Sequence, residues 1–291
     1  MKGIALIFFM TVFVFAITPS VGADELNRHH PESTANPIMK VCGIDIANPP
    51  FYRFTPSETP VYEKNQGIAF DLIEAASLNL GIHIQIIRLP WKRCLVMLKN
   101  GRVDGVIGAS YTPERETYGH YPTTTTGQID YSRIIYSNTY WLYSNDKGVS
   151  WDGKTLRLPL GGSVATGLGY SSGSLLRNLG VEYQQEYSPS KLIALLNNRR
   201  VSVIAGYAGQ LEPFLTSQQQ AASAGGNPVR KLPIPLSQDD MFLLISKPFY
   251  ESQKDVAESI WRFFGEFHRN GSYSTLFNYY LTRYPAQQRP D

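Results

Sequence analysis

The sequence predicts an α/β protein of two lobes, each a mixed, mostly parallel sheet flanked by helices, joined by a double-stranded hinge. Three observations lead there. Strand-like and helix-like segments alternate between residues 39 and 108, the order that builds a parallel sheet with helices on its faces. A helix–turn–strand unit at residues 95–108 recurs about 98 residues later at 193–206. Residues 24–291, left once an export segment is removed, exceed what one ordinary core accommodates.

Each element has its own signal. Residues 1–23 combine Lys2, an apolar run over 4–17 and the small-residue end Val21-Gly22-Ala23, which together read as a secretory signal peptide cut after Ala23. The run is short for a membrane span, and no cysteine at the cleavage site offers a lipid anchor. Residues 24–38 are polar, hold Pro31 and Pro37, and read as a flexible leader. Residues 39–46 form a strand ended by the turn Asn48-Pro49-Pro50. Leu72, Ala76 and Leu80 share one face of a helix over 67–80, and Gly81 stops it. Ile82, Ile84 and Ile86 alternate with His83, Gln85 and Ile87 at a strand's period. Pro90-Trp91 opens a second helix carrying Leu95 and Leu98, and residues 103–108 form a third strand.

The second lobe is expected over residues 143–236, and the first over 39–142 plus 237–291. In the second lobe, a strand over 156–160 leads into the glycine-rich turn Gly161-Gly162-Ser163 at a helix N-terminus, where free backbone N–H groups attract anions. A strand over 241–245 crosses back, and Val256, Ile260, Phe263, Phe264 and Phe267 make the apolar face of a closing helix. Two crossings between lobes make a hinge that bends without loss of register.

Bulk chemistry excludes several functions. A formal charge of +3 is too small to imply nucleic-acid or membrane-surface binding. The five histidines show no ligand spacing, and two cysteines, Cys42 and Cys94, are too few for a structural zinc site. An oxidising compartment permits a Cys42–Cys94 bridge, which the sequence leaves open. Residues 161–169 lack the Gly-Lys-Ser/Thr of a phosphate loop.

Six ordered segments then carry a resemblance. They are Cys42-Gly43-Ile44-Asp45 with Asn48-Pro49-Pro50-Phe51; Gly67-Ile68-Ala69-Phe70-Asp71-Leu72-Ile73; Pro90-Trp91-Lys92-Arg93; Gly101-Arg102-Val103-Asp104-Gly105; Thr112-Pro113-Glu114-Arg115; and Asn270-Gly271-Ser272-Tyr273 with Leu276 and Tyr280. Over nearly all of residues 39–283 the chain resembles the extracellular solute-binding proteins of family 3, the polar amino-acid-type components of bacterial importers. The resemblance implies a two-lobed periplasmic-binding-protein fold of type II, a periplasmic location, a membrane ABC permease as partner, a monomer and no cofactor. It also implies that Arg115 holds a ligand carboxylate, because a guanidinium pairs bidentately with one. Around it, Trp91, Phe51 and Tyr52 sit where strands meet their following turns, the usual ligand position in open α/β sheets. Ser110 and Thr112 offer hydroxyls beside Arg115, and Gly162 and Ser163 offer backbone donors from the second lobe.

The pattern fails at one place. Amino-acid binders of the family carry an acid just after the strand matching residues 201–205, to pair with the ligand's ammonium; here Tyr207 occupies that position. Either Asp239 or Asp240 substitutes, or the ligand is not a standard α-amino acid, since a buried ammonium without an anion is costly. Asn48 likewise replaces a frequent aromatic. Two other functions compete with import: a ligand-sensing subunit of a membrane receptor, and a periplasmic dehydratase of similar fold using Glu63, Glu114 or Asp130 as acid or base.

Overall fold

The structure is a computed structural model that describes residues 38–53, 66–221 and 228–283. The expected signal peptide, nearly all of the leader, and Glu63 lie outside the described residues. The chain begins with β1 (Met39–Ile44), α1 (Ile68–Leu80), β2 (Ile84–Leu89), α2 (Trp91–Lys99), β3 (Gly105–Ser110), α3 (Pro113–Glu116) and β4 (Gly119–His120). The long β5 (Tyr136–Ser144) leads into β6 (Ser150–Trp151), β7 (Leu156–Arg157), β8 (Val164–Gly167), α4 (Ser172–Asn178) and β9 (Tyr183–Glu186). Then come α5 (Pro189–Asn197), β10 (Val203–Tyr207), α6 (Ala208–Ala221) and β11 (Arg230–Lys231). The return strand β12 (Ser237–Ser246) precedes α7 (Lys247–Ser252), α8 (Lys254–Arg269) and α9 (Ser272–Arg283).

One curled sheet runs in the order β2-β1-β3-β12-β5-β10-β8-β9. Its two halves mirror each other about the β12–β5 pair. On one side β2, β1 and β3 are parallel and β12 lies antiparallel to β3. On the other side β9, β8 and β10 are parallel and β5 lies antiparallel to β10. The repeated segment at 95–108 and 193–206 is the helix–strand unit nearest the middle of each half, α2–β3 and α5–β10. The two long antiparallel strands are the hinge.

Burial explains the strands. In the second half, Leu142, Val164 and Val203 enter one apolar cluster, while their neighbours Tyr143, Ala165 and Ile204 enter another on the opposite face. That is the period-two alternation of strands covered on both sides. The first half has a larger core, in which Val41, Leu72, Ile107, Leu244 and the α8 side chains Ile260, Trp261 and Phe264 are essentially inaccessible. Helix α1 ends where Gly81 turns left-handed, at φ 65°, and donates its N–H to Ser77 O. Cys42 on β1 and Cys94 on α2 are joined by a disulfide, with Cα atoms 5.5 Å apart, which ties the helix to the strand beneath it.

One expectation is corrected here. The strand expected over 156–160 is the two-residue β7, paired only with β6 outside the main sheet. Leu160 is fully exposed, so no core selects a strand there. The strand that joins the sheet comes later, at β8, so Gly162 and Ser163 precede it instead of following a strand into a helix.

Candidate functional site

The carboxyl ends of β1, β3, β8 and β10 converge on a cleft floored by the hinge strands, the place where open α/β sheets bind ligands. Its lining includes Asn48, Tyr52, Trp91, Ser110 and Arg115 from the first half and Tyr170, Ser171 and Tyr207 from the second. Tyr136 and Tyr140 rise from hinge strand β5. The cavity left there is only ≈ 30 Å³, because the two halves touch across it.

Arg115 is the central charge. Thr112 caps the four-residue α3 by accepting the Arg115 N–H at 3.2 Å, with Pro113 in the first turn, and this aims the guanidinium inward. Arg115 is buried, 5% exposed. Its Nη1 donates to Ser110 O at 2.6 Å and Ser110 Oγ at 3.0 Å, and its Nη2 donates across the cleft to Gly169 O at 3.1 Å. The guanidinium lies 5.4 Å from the Trp91 ring centre, a cation–π contact. Trp91 Nε1 donates to the same Gly169 O at 2.9 Å. Among the described residues Arg115 has no ion pair; the neighbouring Glu116 accepts from Tyr111 Oη instead.

The walls are phenolic. Tyr140 and Tyr207 stack with ring centres 3.9 Å apart, and Tyr170 lies 5.9 Å from Tyr207. Tyr136 Oη donates to Tyr52 Oη, which donates to Ile107 O. Burial holds the Tyr52, Tyr136, Tyr170 and Tyr207 phenols well above their ordinary value, so each remains a neutral donor. Gly108, at φ 81°, lets Tyr52 and Tyr136 approach the chain: a Cβ there would overlap the Tyr52 hydroxyl and lie 2.7 Å from that of Tyr136.

The structure thus brings together Arg115, Trp91, Ser110, Tyr52 and Tyr207. It leaves out four others. Phe51 is buried behind the wall, stacked on Tyr136 at 4.0 Å and near Phe277. Thr112 acts as the α3 cap. Gly162 donates to Pro159 O, and Ser163 binds the backbone of residues 200–203, at the end of β8 remote from the cleft. The second-half turn that does face the cleft is Leu168-Gly169-Tyr170-Ser171, after β8. Its signal in the sequence was Gly169 and Ser171 directly before α4. Tyr136 and Tyr140 were missed too; their spacing of four, on a strand, puts them on one face. Of the catalytic candidates within the described residues, Glu114 is exposed on α3 and Asp130 pairs with Arg133 at 2.9 Å, both outside the lining. Among the described residues no helix is long and apolar enough to cross a membrane.

Two mirrored half-sheets, a two-strand hinge and a cleft at the strand ends define the two-lobed type II binding-protein fold. The family model for bacterial extracellular solute-binding proteins, family 3, matches residues 41–283, and the chain belongs to that family. Solved structures share the fold at low identity. The substrate-binding protein of an amino acid ABC transporter is 18% identical with a TM-score of 0.61, covering 84% of this chain and 100% of its own. The arginine-, lysine-, histidine-binding protein ArtJ from Geobacillus stearothermophilus is 14% identical with a TM-score of 0.61, covering 87% and 97%. A histidine kinase sensor domain with similarity to periplasmic binding proteins is also 14% identical, with a TM-score of 0.61, covering 84% and 96%. No curated protein matches the chain.

Proposed function

We propose that this protein captures a small polar ligand bearing a carboxylate, an amino acid or a close relative, and delivers it to a membrane ABC permease. The lobes are read as residues 39–142 plus 237–291 and residues 143–236, and the export segment at 1–23 directs the monomer to the periplasm. The observation that carries this reading is Arg115. A buried guanidinium without an anion is unfavourable, and a carboxylate meets its fork geometry with two parallel hydrogen bonds. The bonds that Arg115 and Trp91 make to Gly169 O, and the Ser110–Ser171 contact of 2.9 Å, close the cleft on itself. A ligand takes over these contacts as it enters, and it drives closure only by binding the closed arrangement better than the open one.

Titration calorimetry of the ligand-stripped protein against amino acids and small organic acids tests this. Arg115→Ala is expected to weaken a carboxylate ligand by at least about 30-fold, the effect of deleting one partner of a buried charge pair, roughly 2–5 kcal/mol. Unchanged affinity contradicts the assignment. A second reading, a sensing subunit that docks on a separate receptor, is favoured by the likeness to the histidine kinase sensor domain. Stimulation of permease ATPase activity by the loaded protein separates the two.

A further inference from the structure

Among the described residues, one side chain carries the charge of the cleft lining. Arg115 is cationic, and every other polar side chain there is an amide, a hydroxyl, a phenol or the Trp91 indole. Burial raises the phenols of Tyr52, Tyr136, Tyr140, Tyr170 and Tyr207 above their ordinary value, Tyr140 to about 12, so they supply no negative charge near neutral pH. The two acids of hinge strand β12 are engaged elsewhere. Asp239 stands outside the lining and accepts from Ser171 Oγ at 2.9 Å, and Asp240 accepts from Ser137. Ring faces that could hold a cation are committed too. Arg115 covers the Trp91 face, and Tyr140 and Tyr207 stack on each other at 3.9 Å. A ligand carboxylate on Arg115 therefore leaves the lining neutral. An α-ammonium next to that carboxylate would be buried without an anion, close to a like charge in a low dielectric.

One lining atom calls for an uncharged donor instead. Asn48 is 2% exposed, and its Oδ1 has no hydrogen-bond partner. The turn around it is fixed: the Asn48 N–H donates to Tyr52 O at 2.7 Å, and the Asn48 carbonyl accepts from the N–H groups of Phe51 and Tyr52 at 3.0 Å. Buried acceptors are nearly always paired, so a lone one in the lining points to a donor on the occupant. A hydroxyl meets this need without bringing charge, and it can accept in turn from a phenol or serine hydroxyl of the same lining.

We infer that the ligand is a hydroxy acid without an ammonium group, its carboxylate on Arg115 and an uncharged hydroxyl on Asn48. The inference rests on the reading of Arg115 as carboxylate site and narrows the ligand from amino acids to their hydroxy relatives. The serine hydroxyls fit the same chemistry. Ser110 Oγ accepts from Arg115 Nη1 at 3.0 Å and donates to Ser171 Oγ at 2.9 Å, a contact between the two halves that an entering hydroxy acid replaces with neutral hydrogen bonds of its own.

The test is calorimetry of ligand-stripped wild type with matched sets: L-lactate, L-alanine and propionate; L-3-phenyllactate, L-phenylalanine and 3-phenylpropionate; L-malate, L-aspartate and succinate. At least one hydroxy acid is expected to bind at least about 30-fold more tightly than its amino partner, and about tenfold more tightly than the plain acid. Asn48→Asp, nearly the same in shape, places a carboxylate in the lining and is expected to shift the ratio by at least about tenfold toward the amino acid. Wild type favouring the amino acid of a set overturns this inference and leaves the carboxylate site standing. A plain acid bound as tightly as its hydroxy partner, or an unchanged ratio in folded Asn48→Asp, overturns the hydroxyl contact at Asn48. No binding by any probe overturns both this inference and the reading of Arg115. The wild-type comparison needs no variant, so a misfolded substitution does not blunt the test.

Discussion

Arg115 and Gly108 show how single residues shape the cleft. Arg115 supplies charge that no ion pair among the described residues neutralises, and Gly108 supplies room, since its left-handed backbone lies against the Tyr52 and Tyr136 hydroxyls. Gly108→Ala is expected to lower stability by about 1–3 kcal/mol, read by chemical denaturation, because both the φ and the added methyl are disfavoured. Affinity should fall with it, as the two tyrosines are pushed into the cavity. A variant as stable as wild type contradicts this account of the wall. Trp91 was legible as an aromatic at a strand end, Arg115 through the Thr112-to-Arg115 segment of the family resemblance, and Ser110 as a hydroxyl close to Arg115. Tyr207 was legible as a departure. What stayed hidden was partnership across the hinge: that Asp239 accepts from Ser171 while Asp240 accepts from Ser137 depends on strand register, which no local spacing reveals.

At the scale of elements, α2 matters most. It begins at Trp91, holds Cys94 one turn later, and is bonded through it to Cys42 on β1. The bridge closes a loop with a sequence separation of 52. Replacing both cysteines by serine is expected to destabilise by roughly 2–5 kcal/mol, measured as a lower unfolding midpoint under oxidising conditions. No change there contradicts a structural role. In the first half, α1 and β2 were readable from periodicity because each turns apolar side chains at its own period toward the core. The second half misled at residues 156–163, where Leu156 and Leu158 look like a core strand, but short pairing and an exposed Leu160 leave it peripheral. The buried run at β8, only four residues long, gave a weaker signal than the glycines beside it.

For the molecule as a whole, the mirrored half-sheets explain both the repeat in the sequence and the position of the site at their junction. Stability should depend on pH in one direction. His120 and His268 are held below the ordinary imidazole value of 6.5, chiefly by burial. The folded state therefore binds fewer protons than the unfolded chain near that pH. Stability is expected to fall as pH drops through about 6.5 toward the lower folded values, and denaturant midpoints at pH 7.5 and 5.5 check the sign. The most direct test of ligand capture at Arg115 is the thermal unfolding of ligand-stripped wild type and Arg115→Ala, each with and without saturating carboxylate ligand. Wild type at 100 times its dissociation constant should gain about 2.7 kcal/mol, several degrees, while the variant at the same concentration gains little. An equal shift in both proteins contradicts a carboxylate held by Arg115.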